Sequence, residues 1–188
     1  MTLTDSHAIE TAARAAIARR RRGRPPTREQ EFLELLDLRR VDVFAGVYFR
    51  GSPGITGANW VHPRLRRAEL EIICSLQMIG EGWRCCGSAV EVITGADSPG
   101  EFRFHQSGGM IAKNLGGGSQ STRTYLLHQA CHLPDVTATL DVDGARMAAP
   151  ESGYFLLLWT EQSETRPDPR GRPRMRGFDA RGALTFDA

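Results

Sequence analysis

The side chains best suited to chemistry in this chain are histidines, cysteines and serines gathered in its second half. His128, Cys131 and His132 read as His-x-x-Cys-His, and imidazole and thiolate are the donors zinc prefers in tetrahedral sites. On an extended strand, however, His128 and His132 share one face and Cys131 points to the other. Cys85 and Cys86 split across two faces in the same way. The expectation is core cysteines and edge histidines, with no metal and no cofactor. Ser107-Gly108-Gly109 and Gly118-Ser119-Gln120-Ser121 lie near His105, and a serine beside glycines has the backbone donors a nucleophile needs. Yet no Gly-x-Ser-x-Gly elbow is present. Lys113 is followed by Asn114, not by the serine or threonine of a phosphate-binding loop. Residues 107–120 therefore read as a mobile Gly-rich surface loop.

Arginines form the second chemical group. Arg19, Arg20, Arg21, Arg22 and Arg24 place five guanidiniums in six positions. Arg22-Gly23-Arg24-Pro25 resembles the AT-hook core, and Pro169-Arg170-Gly171-Arg172-Pro173 resembles it more fully. A narrow A·T minor groove carries enhanced negative potential that attracts inserted arginines, and proline keeps the peptide extended. The resemblance implies groove contacts by Arg22, Arg24, Arg170 and Arg172. Against it, Lys113 is the only lysine among 24 basic residues. Such a bias follows from GC-rich coding, so short Arg-Gly matches arise cheaply.

Aromatic side chains form the third. Trp60, Trp83, Phe44, Tyr48 and Tyr154 sit on what reads as a β scaffold, where aromatics fill cores by default and anchor interfaces when exposed. Phe44 and Tyr48 share the strand face opposite the valines Val41, Val43 and Val47. Either a second layer or a partner must cover them, which makes Phe44, Tyr48 and Trp60 the partner-binding candidates.

These groups rest on a chain of 188 residues with 40% apolar and 24% charged side chains and a net charge of +2. Such a chain buries a real core, and nucleic-acid or membrane attraction has to come from a local patch. Residues 1–22 lack the apolar core of a secretory signal, and the apolar run Tyr154–Trp159 is too short to span a bilayer. A cytoplasmic location, no membrane and reduced cysteines are expected.

Two N-terminal helices are expected. In the first, residues 1–22, Ile9, Ala13, Ala16 and Ile17 recur at helical spacing. The second opens at Thr27, which pairs with Gln30 as a capping box and presents Phe32, Leu35, Leu36 and Leu38. From Val41 the period becomes two. Strands are expected over 41–50, 70–78, 83–94, 101–106, 122–132, 136–142, 154–160, 175–178 and 183–186. Asp143-Gly144 marks a hairpin, and Gly87 marks a bulge. The fold class expected is mainly β, an antiparallel sandwich or partly open barrel behind two helices. Its domains are a basic helical arm with a packing helix over 1–40 and a β domain over 41–188.

Pro134-Asp135-Val136, Val142-Asp143-Gly144, Gly153-Tyr154-Phe155-Leu156 and Phe178-Asp179-Ala180-Arg181-Gly182 together resemble the C-terminal β-sandwich tails of uncharacterised actinobacterial regulatory proteins. The resemblance covers residues 133–186, and its motifs are turn chemistry, so it implies a fold rather than a reaction. The function expected is a non-enzymatic interaction or regulatory module that binds a protein or small-molecule partner, or itself, through the β domain. The second reading is a DNA-associated protein with a minor-groove arginine arm, and the third is an enzyme of unrecognised type.

Overall fold

The computed structural model describes residues 2–19, 33–51, 70–92, 101–111, 123–165, 167 and 171–188. The chain forms two compact units, Met1–Gly95 and Ala96–Ala188. The N-terminal helix belongs to the first of these units.

In that unit, helix α1 (Leu3–Arg19) precedes strands β1 (Leu33–Val41), β2 (Phe44–Gly51), β3 (Leu70–Ile79) and β4 (Gly82–Val92). The strands form one antiparallel sheet in sequence order. Thr2 starts the helix, its Oγ1 accepting a hydrogen bond from the Asp5 amide at 3.2 Å, as N-cap threonines do. Ile9 and Ala13 lie one turn apart and enter the core with Leu33, Ala45, Val47, Phe49, Ile72, Cys74 and Leu76. Arg14 ties the helix down. It pairs with Glu10 at 2.7 Å, donates to the Leu33 carbonyl at 3.0 Å and lies over the Phe49 ring at 5.1 Å.

The expected second helix is a correction. Leu35, Leu36 and Leu38 belong to β1, and residues 27–32 lie outside the described residues. Leu35 opposes Phe49, Leu38 opposes Val47, and the register shifts between Leu35 and Asp37. A bulge inserts one extra residue into a strand. Here it spaces the leucines so that they imitate a helical face. The bulge expected in β4 is present: Ser75 opposes Gly87 and Leu76 opposes Cys85, which leaves Cys86 extra.

The second unit holds β5 (Arg103–Ile111), β6 (Arg123–His132), β7 (Thr139–Val142), β8 (Ala145–Ala148), β9 (Tyr154–Ser163), β10 (Met175–Phe178) and β11 (Leu184–Asp187). One antiparallel sheet has the order β5-β6-β9 and the other β11-β10-β7-β8. Cys131, Phe155 and Leu157 from the first sheet pack with Leu140 and Met175 from the second, a sandwich in which alternate residues of each strand point inward. Two turns are as the sequence implied. Asp143 and Gly144 both take positive φ, 48° and 87°, as a two-residue type I′ hairpin requires. Asp179 Oδ1 accepts from the Arg181 and Ala183 amides at 2.9 and 2.8 Å, closing the last hairpin.

Ser107, Gly108 and Gly109 are a second correction: they lie in β5, not in a loop, and residues 112–120 lie outside the described residues. A Cβ on Gly108 would stand 2.7 Å from His128 Nε2, and one on Gly109 2.5 Å from Leu127 Cδ2. Glycine is needed in this strand because side chains of β6 lie over its backbone. All four cysteines are free thiols. Among the described residues no helix is long and apolar enough to cross a membrane.

Candidate functional site

The sheet β8-β7-β10-β11 turns Leu140, Val142, Met147, Met175 and Phe186 into the core, so the alternate residues face outward. The register aligns them in two rows across the four strands. Arg146 opposes Asp141, Asp141 opposes Arg176, and Arg176 opposes Asp187. In the next row Ala148 opposes Thr139, Thr139 opposes Phe178, and Phe178 opposes Leu184 across a register shift that leaves Thr185 extra and so turns Leu184 to the side away from Phe186.

The charged row is closely bonded. Arg176 Nη2 lies 3.0 Å from Asp141 Oδ2, and Asp141 Oδ1 accepts from the Gly144 amide at 2.8 Å. Asp141 is thereby buried with both oxygens engaged. Arg174 grips Asp187 with two parallel bonds of 2.9 and 2.6 Å. Hydrogen bonding from that guanidinium holds the Asp187 carboxyl below the usual carboxylate range. Phe178 has the Arg146 guanidinium at 5.4 Å and the Arg176 guanidinium at 6.0 Å from its ring centre, within cation–π range. Leu184 beside it is 57% exposed. Asp141→Asn keeps an acceptor for Gly144 but loses the charge facing Arg176. It is expected to lower stability by about 1 kcal/mol, measured by urea unfolding, with an unchanged midpoint counting against the pair.

Phe44 and Tyr48 are interior, at 2% and 0% exposure. They oppose Gln77 and Ile73 of β3, which are buried too, so the sheet face opposite α1 is an inside face and not a free one. Trp60, Arg20, Arg21, Arg22, Arg24 and Arg170 lie outside the described residues, and Arg19 is the last residue of α1. Arg172 lies with its guanidinium 4.0 Å over the Phe104 ring, packed onto its own unit rather than extended.

His128, Cys131 and His132 do not converge. Cys131 faces the sandwich core, and strand alternation sends both histidines to the other side. Among the described residues no group of three or more His, Cys, Asp or Glu side chains gathers as metal ligands do. His132 instead meets Tyr154, ring centres 4.9 Å apart, with His105 at 6.3 Å from each. His128 is 5% exposed, and neither ring nitrogen has a hydrogen-bond partner among the described residues. Burial lowers its pKa from 6.5 to about 4, so the ring is neutral at pH 7. Ser119, the proposed companion of His105, lies outside the described residues.

The outward rows on β8-β7-β10-β11 escaped the reading of the sequence. Part of them is legible there: a two-residue Asp-Gly turn at 143–144 sets Asp141 opposite Arg146. The rest depends on β10 returning beside β7 across 32 intervening residues (143–174), for which the sequence has no local signal.

No protein-family model matches the chain, no curated protein matches it, and no solved structure matches it.

Proposed function

We propose that this protein is a non-enzymatic interaction module of the regulatory kind, binding a protein partner through the outer face of β8-β7-β10-β11. The observation that carries the reading is the Phe178 ring with the Arg146 and Arg176 guanidiniums 5.4 and 6.0 Å from its centre, next to the exposed Leu184. Arginine and aromatic side chains supply much of the energy of protein interfaces. A guanidinium held against a ring loses little freedom on binding, which lowers the cost of association.

Placing a photo-crosslinking amino acid at the exposed Ala148 tests the reading in cells of the source organism. A discrete covalent adduct to a protein is expected from position 148 and none from the exposed control position Arg84 on β4. Equal labelling from the two positions, or no adduct from 148, would overturn it.

A further inference from the structure

We infer that the partner of this face is a second copy of the same chain, docked face to face about a two-fold axis. The inference rests on the interaction-module reading and adds the identity of the partner. Its basis is the order of the side chains in the two rows. Read from β8 to β11, the first row is Arg146, Asp141, Arg176, Asp187, alternating plus, minus, plus, minus. The second is Ala148, Thr139, Phe178, Leu184, two small residues followed by two large ones.

A two-fold axis running parallel to the strands, between β7 and β10, brings each row against itself reversed. Isologous contacts have this property: if one residue meets another, the second meets the first across the axis. Arg146 then faces Asp187 of the second copy, and Asp141 faces its Arg176. Ala148 faces its Leu184, and Thr139 its Phe178. Both charged pairings join opposite signs, and both pairings of the second row join a large side chain to a small one. A row with an odd number of alternating charges, or with its large residues at both ends, would meet itself badly. Here charge and size are both self-complementary under the same operation. Arg146, Asp187, Ala148 and Leu184 are all exposed on the folded chain; Asp187 accepts a further bond while keeping its two from Arg174, and Arg146 leaves the Phe178 ring to supply it. Asp141 is buried beneath its bonds to Arg176 and Gly144, and the Arg146–Asp187 pairs at the two ends carry the charge recognition. Sheets facing each other in this way pack about 10 Å apart, within reach of an arginine.

The strands are four residues long. With strands spaced ~4.8 Å and a rise of ~3.3 Å per residue, the face offers on the order of 300 Å² per copy. That is well below the ~800 Å² per partner of stable complexes, so the dimer is a weak, concentration-dependent one.

Sedimentation velocity of the full chain, from about 10 μM to about 1 mM, is expected to show a monomer passing to a dimer. Arg146→Asp places like charges opposite each other twice and should weaken dimerisation at least ~10-fold. The conservative variant Arg146→Lys keeps the sign that faces Asp187 and leaves the Arg174–Asp187 pair intact, and should keep most of the dimerisation. Leu184→Ser, which changes no charge at an exposed position, should also weaken the dimer ~10-fold. A monomer at every concentration, or a dimer indifferent to Arg146→Asp and Leu184→Ser, overturns the inference. If the chain stays monomeric while crosslinks from position 148 reach a different protein, self-association falls and the interaction-module reading stands. If there is neither dimer nor adduct, both fall.

Discussion

Acidification from pH 6.5 to pH 4 is expected to remove about 3 kcal/mol of folding stability through His128 alone. The ring is buried on β6 opposite Gly108 on one side and Leu158 on the other. Burial disfavours its charged form and lowers its pKa to about 4. In the unfolded chain the same imidazole takes up its proton near the ordinary 6.5. Between these values the unfolded state binds the extra proton, so stability rises with pH across the window. The contribution is complete above about pH 6.5, is lost as the pH falls toward 4, and does not change further once both states are protonated. Urea midpoints across this range, compared between the native chain and His128→Leu, measure it. The variant should show a much flatter profile. At pH 7 it should be no less stable than the native chain, since it removes two polar atoms that have no partner among the described residues. Parallel profiles for the two proteins would show that the ring is not held neutral by the fold.

The second large effect is expected at Gly177. This residue lies in β10 opposite Leu140 and Phe186. A Cβ built on it falls onto the Phe186 ring, and lies 2.6 Å from Thr185 Oγ1. The ring has little room to retreat, because Phe102 stacks on its other side with centres 4.1 Å apart. Gly177→Ala should therefore cost about 3 kcal/mol, the upper part of the range for overpacking a closed core. Adding Phe186→Leu should return part of that loss, a coupling between contacting residues that independent sites do not show. Thermal or urea unfolding of the two single variants and the double variant measures both statements. A Gly177→Ala chain within about 0.5 kcal/mol of the native one would mean that Phe186 moves freely.

Both effects come from residues, a histidine and a glycine, whose importance is invisible along the chain. Gly108 and Gly109 read as loop residues because glycine is common in loops. In the fold they are strand residues, left bare where His128 and Leu127 cross them. The leucines of β1 were misread for the opposite reason. Their spacing carries a real periodicity, but a bulge at Leu36 generated it, and a bulge is decided by pairing with β2. The strand of clearest alternation, β3, was legible because a period of two sustained along a strand has no helical counterpart.

The candidate residues divide along the same line. Alternation alone separates Cys131 from His128 and His132, and the folded chain keeps them apart. Alternation also put Phe44 and Tyr48 on one face, but it does not say whether that face meets water, and the fold buries it.

By itself the sequence determined the β architecture, the first helix, the Asp143-Gly144 and Asp179–Gly182 turns and the alternation of side chains along the stretches of strand without a bulge. All of these follow from backbone dihedrals and neighbours a few residues apart. Only the tertiary structure decided which strands lie side by side, which faces are covered, and hence that Arg146, Asp141, Arg176 and Asp187 form one row. Pairing across long loops is governed by the burial of whole faces, a property of the assembled sheet rather than of any segment in it.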